Sequence, residues 1–278
     1  VLPLVVLLLA AASGACAAGN LTIVQATIQQ GEGGSPVPPG FAHAPGEVIY
    51  FSFQVENYRV SPAQKVQLST RVEALDPHGV PLTEPIESKV DTDLAPEDKG
   101  WKPKVGHEIA IPPEAGSGTY RIKVQVKDEL ASATAEKEVA FEVRGHPVEP
   151  SDTLVIRNFR FYRSENDTEP LARPAYRPGD TVWARFDLTG YKFGPGNQID
   201  VSYRVSVLSP SGKVLWSQPE AEAVVEKTRS FYPKRYVPGF GSLSLQPTIR
   251  PGDYAIVVSA RDAIGGQTFE TRQTFSIE

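Results

Sequence analysis

The chain is 278 residues long, enough for about two domains of ordinary size, each able to bury a core of its own. With 40% hydrophobic and 22% charged residues it has the composition of a folded protein, which excludes wholesale disorder. A formal net charge of −5 removes the electrostatic basis for nucleic acid as a partner, because phosphate binding calls for clustered cations.

Leu2 to Ala12 is almost unbroken apolar sequence, and the small residues Ser13 to Ala18 follow it. The run is shorter than the ~20 residues a helix needs to cross a bilayer and has the length of a signal-peptide apolar region. Residues 1–19 therefore read as a cleaved export segment, although the basic stretch that usually precedes such a region is missing. The mature chain is expected in the periplasm, at the cell surface or outside the cell. Cys16 is the sole cysteine, so the remainder has no disulfide and must rely on hydrophobic cores. Ser13-Gly14-Ala15-Cys16 resembles a bacterial lipoprotein processing site, which implies lipidation of Cys16 and a lipid anchor to the membrane. Ser13 departs from that pattern, which wants Leu there, and simple cleavage after Ala15 or Ala17 is the alternative reading.

Beyond residue 19 the chain is a duplication. Leu21-Thr22-Ile23 matches Leu154-Val155-Ile156, Pro45-Gly46-Glu47 matches Pro178-Gly179-Asp180, and Asp76-Pro77-His78-Gly79 matches Ser209-Pro210-Ser211-Gly212, all offset by 133. Gly118-Thr119-Tyr120 matches Gly252-Asp253-Tyr254, and Phe141-Glu142-Val143 matches Phe275-Ser276-Ile277, both offset by 134. A one-residue change of length over a whole copy sets the expected organisation: one domain over residues 20–144, a linker over 145–151, and a second domain over 152–278. Pro147 and Pro150 hold the linker extended, so the domains are expected end to end with restricted freedom.

Within each copy the apolar residues recur every second position, the mark of strands with one buried face. After Gly46 come Ile49, Phe51, Phe53 and Val55, answered in the second copy by Val182, Ala184, Phe186 and Leu188. The next strand carries Val66, Leu68, Thr70 and Val72, answered by Ile199, Val201, Tyr203 and Val205. The two Pro-and-Gly tetrapeptides that follow read as tight turns, with Pro at the second position and Gly at the fourth. Late in the first copy Tyr120, Ile122, Val124 and Val126 alternate with polar residues. No window of comparable length has helical periodicity. Seven or eight short strands so punctuated predict an all-β fold of two tandem antiparallel β-sandwiches.

Gly118-Thr119-Tyr120-Arg121-Ile122 and Gly252-Asp253-Tyr254-Ala255-Ile256 resemble the tyrosine corner of immunoglobulin-like and fibronectin type III domains. Where antibody domains have a disulfide cysteine two residues after that Tyr, this chain has Ile122 and Ile256. The resemblance is therefore to cysteine-free bacterial immunoglobulin-like and macroglobulin-like modules, and it implies fold more than function.

Catalytic constellations are sparse. The histidines are His43, His78, His107 and His146, all in the first copy or the linker, with no paired spacing that would gather three or four zinc ligands. Asp91, Asp93, Glu97 and Asp98 form an acidic stretch that could hold a hard cation or serve as a solvated charged loop, and it lacks the glycine turn of an EF-hand. No Gly-x-Ser-x-Gly elbow is present, and Gly239-Phe240-Gly241 is followed by no helix that would make it a phosphate loop. The expectation is a non-catalytic protein without cofactor or metal.

For binding, residues 229–240 carry four aromatics among three basic side chains in what reads as a loop interrupting the strand pattern. Phe231, Tyr232, Arg235, Tyr236 and Phe240 are thus the first candidate recognition residues, with a satellite core as the alternative. Trp183 and its counterpart Tyr50 are predicted on outward strand faces, where a ring could stack on a sugar. The reading is an exported binding, adhesive or structural protein of a bacterial cell envelope, whose partner is a protein or glycan. The alternative is a carbohydrate-binding accessory module acting for a separate enzyme.

Overall fold

The computed structural model of the protein describes residues 20–278, so the export segment and Cys16 lie outside the described residues. The described chain is all-β apart from one 3-10 turn at Glu220–Glu222. Its first half contributes β1 (Thr22–Gln29), β2 (Ala42–His43), β3 (Val48–Glu56), β4 (Lys65–Leu75), β5 (Ile86–Asp93), β6 (Lys104–Ala110), β7 (Gly118–Asp128) and β8 (Ala133–Val143). These form a three-stranded sheet, β1-β3-β6, and a five-stranded sheet, β2-β8-β7-β4-β5. The second half contributes β9 (Val155–Tyr162), β10 (Ala175–Tyr176), β11 (Thr181–Thr189), β12 (Ile199–Leu208), β13 (Val214–Ser217), β14 (Val224–Thr228), β15 (Tyr236–Ser244), β16 (Gly252–Asp262) and β17 (Gln267–Ile277). They repeat the plan as β15-β11-β9 and β10-β17-β16-β12, with β13 and β14 sharing the outer edge of β12 where the first half has β5 alone. Pairing is antiparallel except for the two-residue strands β2 and β10, which run parallel to β8 and β17.

The alternation in the sequence is what packs each pair of sheets. Along β4 every second residue from Val66 to Ala74 is buried, and along β7 the same holds from Tyr120 to Asp128. Ile49, Phe51, Phe53 and Val55 from β3 meet Leu68, Val72, Ile122 and Val124 in one hydrophobic core. A second core holds Val182, Phe186, Leu188, Val201, Tyr203, Ile256 and Phe275. Each such side chain taken fully out of water contributes roughly 1.5–3 kcal/mol.

Both copies also share their corner. Tyr120 Oη donates to the Gly116 carbonyl and Tyr254 Oη to the Arg250 carbonyl, each at 2.9 Å. The turns over Asp76–Gly79 and Ser209–Gly212 are closed by Gly79 N–H to Asp76 O (2.9 Å) and Gly212 N–H to Ser209 O (2.8 Å). The turn prolines pack on the glycines that begin β7 and β16. A Cβ on Gly118 would lie 2.6 Å from Pro77 Cγ, and one on Gly252 2.8 Å from Pro210 Cγ, so both positions require glycine.

The loop expected over residues 229–240 is a loop only in its first part. Tyr236 to Phe240 interrupts the apolar alternation, yet it is the start of strand β15, paired with β11 along its whole length. The reason lies at Gly239, an inward position: a Cβ there would come within 2.2 Å of the Phe186 ring. The core space that an apolar side chain would mark is filled from the neighbouring strand, so the strand carries no alternation to read.

Candidate functional site

The basic and aromatic stretch of the second half meets the first half. Asp76 is wholly buried, and its two carboxylate oxygens do different work. Oδ1 accepts the backbone N–H groups of His78 and Val80, both at 2.8 Å, and so closes its own turn. Oδ2 accepts from Arg235 Nη1 at 2.8 Å and from Tyr232 Oη at 3.1 Å. Arg235 also donates to Tyr232 Oη at 2.8 Å, and its guanidinium lies 5.3 Å from the centre of the Tyr232 ring. That ring packs in the core of the first half, with 6% of its surface exposed. At the equivalent turn of the second half Ser209 replaces Asp76; its hydroxyl takes the Lys213 N–H at 3.1 Å, which preserves the turn and drops the charge.

The electrostatics follow from burial. Burial pushes the Asp76 carboxyl up, but the Val80 N–H and the Arg235 guanidinium outweigh it and hold the group below the usual carboxylate range. Burial pushes the Tyr232 phenol far above its ordinary value, so it stays a neutral donor. Lys234 adds ion pairs to Glu226 at 3.0 Å and to Glu114 of the first half at 3.8 Å.

The segment between β8 and β9 is also pinned to the second half. His146 Nε2 lies 2.7 Å from Asp187 Oδ2, and the His146 ring sits 5.3 Å from that of Tyr236. Asn158 Nδ2 donates to Asp187 Oδ2 and to the Pro147 carbonyl, both at 2.8 Å. Asn158 has φ +52° and stands where the pairing of β9 with β11 shifts register, a bulge that re-aims its side chain. Asn is among the few residues that accept this backbone region at low cost.

The remaining candidates are dispersed. Phe231 is half exposed, and its carbonyl takes the Asn197 amide at 2.6 Å. Phe240 is 60% exposed, on β15 beside Arg185 of β11. Trp183 is half-buried on β11 between Tyr162 and Ser242, and the Arg185 guanidinium covers the Tyr162 ring at 4.3 Å. Tyr50 stands at the same position of β3, half-buried between Gln29 and Glu108. The structure thus joins Tyr232 and Arg235 to the contact between halves, sets Tyr236 against His146, and places Trp183 and Phe240 in the β15-β11-β9 sheet. Asp76, His146, Asn158 and Asp187 are the residues that sequence reasoning missed. The signal available was the replacement of Asp76 by Ser209 within a turn that keeps its Pro and its Gly.

Among the described residues no group of three or more His, Cys, Asp and Glu side chains is placed to hold a metal ion. In the acidic stretch Asp91 pairs with Lys65 at 3.0 Å, and Asp98 caps the Ala95 N–H at 2.9 Å. No described helix is long and apolar enough to cross a membrane.

No protein-family model matches the chain, and no curated protein is similar to it in sequence. Among solved structures it is similar to the C-terminal domain of the AgI/II polypeptide BspA of Streptococcus agalactiae, with 11% identity, a TM-score of 0.33, and 92% of this chain and 100% of that one covered. It is also similar to the C-terminal domain of the antigen I/II-family protein AspA of Streptococcus pyogenes, with 10% identity, a TM-score of 0.34, and 93% and 99% covered. Likenesses this distant carry no argument about function.

Proposed function

We propose that the chain is a non-catalytic protein exported to a bacterial cell envelope, where two immunoglobulin-like sandwiches held as one stiff unit present a binding surface to a protein or glycan. The observation that carries this reading is the buried contact of Asp76 with Tyr232 and Arg235. It spends the most interaction-prone residues of the chain on fixing one sandwich against the other, which suits a spacer or adhesive element. The tyrosine-to-carbonyl bonds at Gly116 and Arg250 support the immunoglobulin-like type. The apolar run at residues 2–12 supports export, and Cys16 supports a lipid anchor as its finer form.

The test is to express the whole chain in a Gram-negative host, fractionate the cells, and weigh the mature N-terminus. A terminus at a diacylglycerol-bearing Cys16, or a cleaved soluble chain in the periplasm, supports the reading. A cytoplasmic chain with its first nineteen residues still attached would end it.

A further inference from the structure

A cavity of about 850 Å3 opens at the end of the first sandwich opposite the joint. Its wall includes Ser61 and Gln64, just before β4 begins, whereas Asp76 follows the end of that 11-residue strand. This is the size of a small-molecule site, and its lining mixes a few aromatic and apolar side chains with polar groups, as such sites do. Trp101 in its wall is 37% exposed, and Val60, also in the wall, is as open.

The two copies show what this end of the fold is for. Tyr58 in the first and Tyr191 in the second hold equivalent positions: Tyr58 Oη donates to the Trp101 carbonyl at 2.6 Å, and Tyr191 Oη to the Lys234 carbonyl at 2.5 Å. In strand register Gln54 faces Lys104 where Asp187 faces Pro238, which sets Trp101 in the place of Arg235. In the second copy this end is a docking end, filled by its contact with the Asp76 turn. In the first copy the cation that grips the carboxylate is replaced by an indole, and the space is open. The docking position survives while its chemistry has changed from gripping a charge to offering a flat apolar face.

The charges of the cavity cancel. Glu56 pairs with Lys102, and Asp98 stands next to Lys99, so two carboxylates and two ammonium groups line it with no net sign. Gln64 brings a terminal amide and Trp101 an indole N–H, both of which suit neutral hydroxyl partners. Burial, and then the Asp98 carboxylate, hold the Tyr58 phenol above its ordinary range, so it remains neutral.

We propose that the cleft lined by Tyr58 and Trp101 is a binding site for a neutral saccharide, one sugar ring lying on the Trp101 indole and its hydroxyls meeting the Gln64 amide and the Asp98 carboxylate. The indole supplies contact area at low conformational cost. The polar groups around it fix orientation. This goes beyond the presenting role proposed above and stands whether or not the joint is rigid.

The test uses the whole chain carrying Trp183→Phe and Trp216→Phe, which leaves Trp101 as the one indole. It is titrated with neutral hexasaccharides of β-1,4-linked N-acetylglucosamine, β-1,4-linked glucose and α-1,4-linked glucose, with polygalacturonate, and with a synthetic peptide of residues 72–82. The expected result is a saturable change in Trp101 emission with at least one neutral sugar. Calorimetry on the unsubstituted chain should give the same affinity, weakened roughly tenfold or more by Trp101→Ala, less by Trp101→Phe, and measurably by Gln64→Ala. Circular dichroism of each variant separates lost binding from lost fold. The proposal is overturned if no neutral sugar binds more tightly than about 10 mM, or if Trp101→Ala binds as the parent does. Preferential binding of polygalacturonate or of the Asp76 peptide overturns it equally, the latter by making the cleft a protein-docking end.

Discussion

Replacing Asp76 by Ser transplants into the first turn the residue that the second turn already uses. The serine hydroxyl can keep the turn closed, as Ser209 does with the Lys213 N–H at 3.1 Å, so the first sandwich should fold as before. What is lost is Oδ2 and its two partners, Arg235 Nη1 at 2.8 Å and Tyr232 Oη at 3.1 Å. A charge-assisted bond is worth about 1.5–3 kcal/mol, and breaking a buried pair about 3–5 kcal/mol. Arg235 keeps 38% of its side chain in water and recovers part of its solvation, so about 2–4 kcal/mol is expected here. That loss should fall on the coupling between the halves. In urea, followed by fluorescence from Trp101 in one half and from Trp183 and Trp216 in the other, the parent should unfold in one transition and Asp76→Ser in two. Small-angle scattering of Asp76→Ser should show a broader spread of lengths than the parent. A variant that matches the parent in both measurements would refute the view that this contact holds the halves together.

The same carboxylate makes the joint acid-sensitive. Because the folded Asp76 titrates below its unfolded value of about 3.9, its contribution is complete above that pH and fades as the pH falls through the folded value. Scattering should therefore show the parent loosening below about pH 4, with Asp76→Ser lacking that step. Gly239→Ala forces a methyl into the Phe186 ring and should cost the second sandwich about 1–3 kcal/mol with no effect on the first, read from the same two-probe denaturation. Tyr254→Phe removes the bond to the Arg250 carbonyl and should cost about 1 kcal/mol, visible as a lower urea midpoint at unchanged slope.

The sheets were legible because their information is local. Ile49 to Val55 and Val66 to Val72 carry a period of two that only a half-buried strand satisfies, and the repeat at 133–134 residues places the same elements twice. The candidate residues were legible by type and not by role. Tyr232 and Arg235 looked like recognition residues, and their partner Asp76 lies 156 and 159 positions away, a distance over which no pattern in the chain speaks. Asp76 looked like an ordinary turn residue because it is one, through Oδ1. Its second role requires the third dimension. Trp101 sits in the ten residues between β5 and β6, where there is no periodicity to say whether a ring is covered or open.

Two unaltered copies of a sandwich whose tail grips its neighbour's head would have an unused head and an unused tail, and such pieces add end to end without limit. Here Asp76 exists only in the first copy and Arg235 only in the second, so each has one complement in the chain. The short connection between β8 and β9 keeps the two at high effective concentration, and their union leaves neither available to another molecule. The exchange of Asp for Ser in one turn, and of Arg for Trp in one loop, makes the contact directional: it forms in one order only, the turn of the first half against the basic stretch of the second.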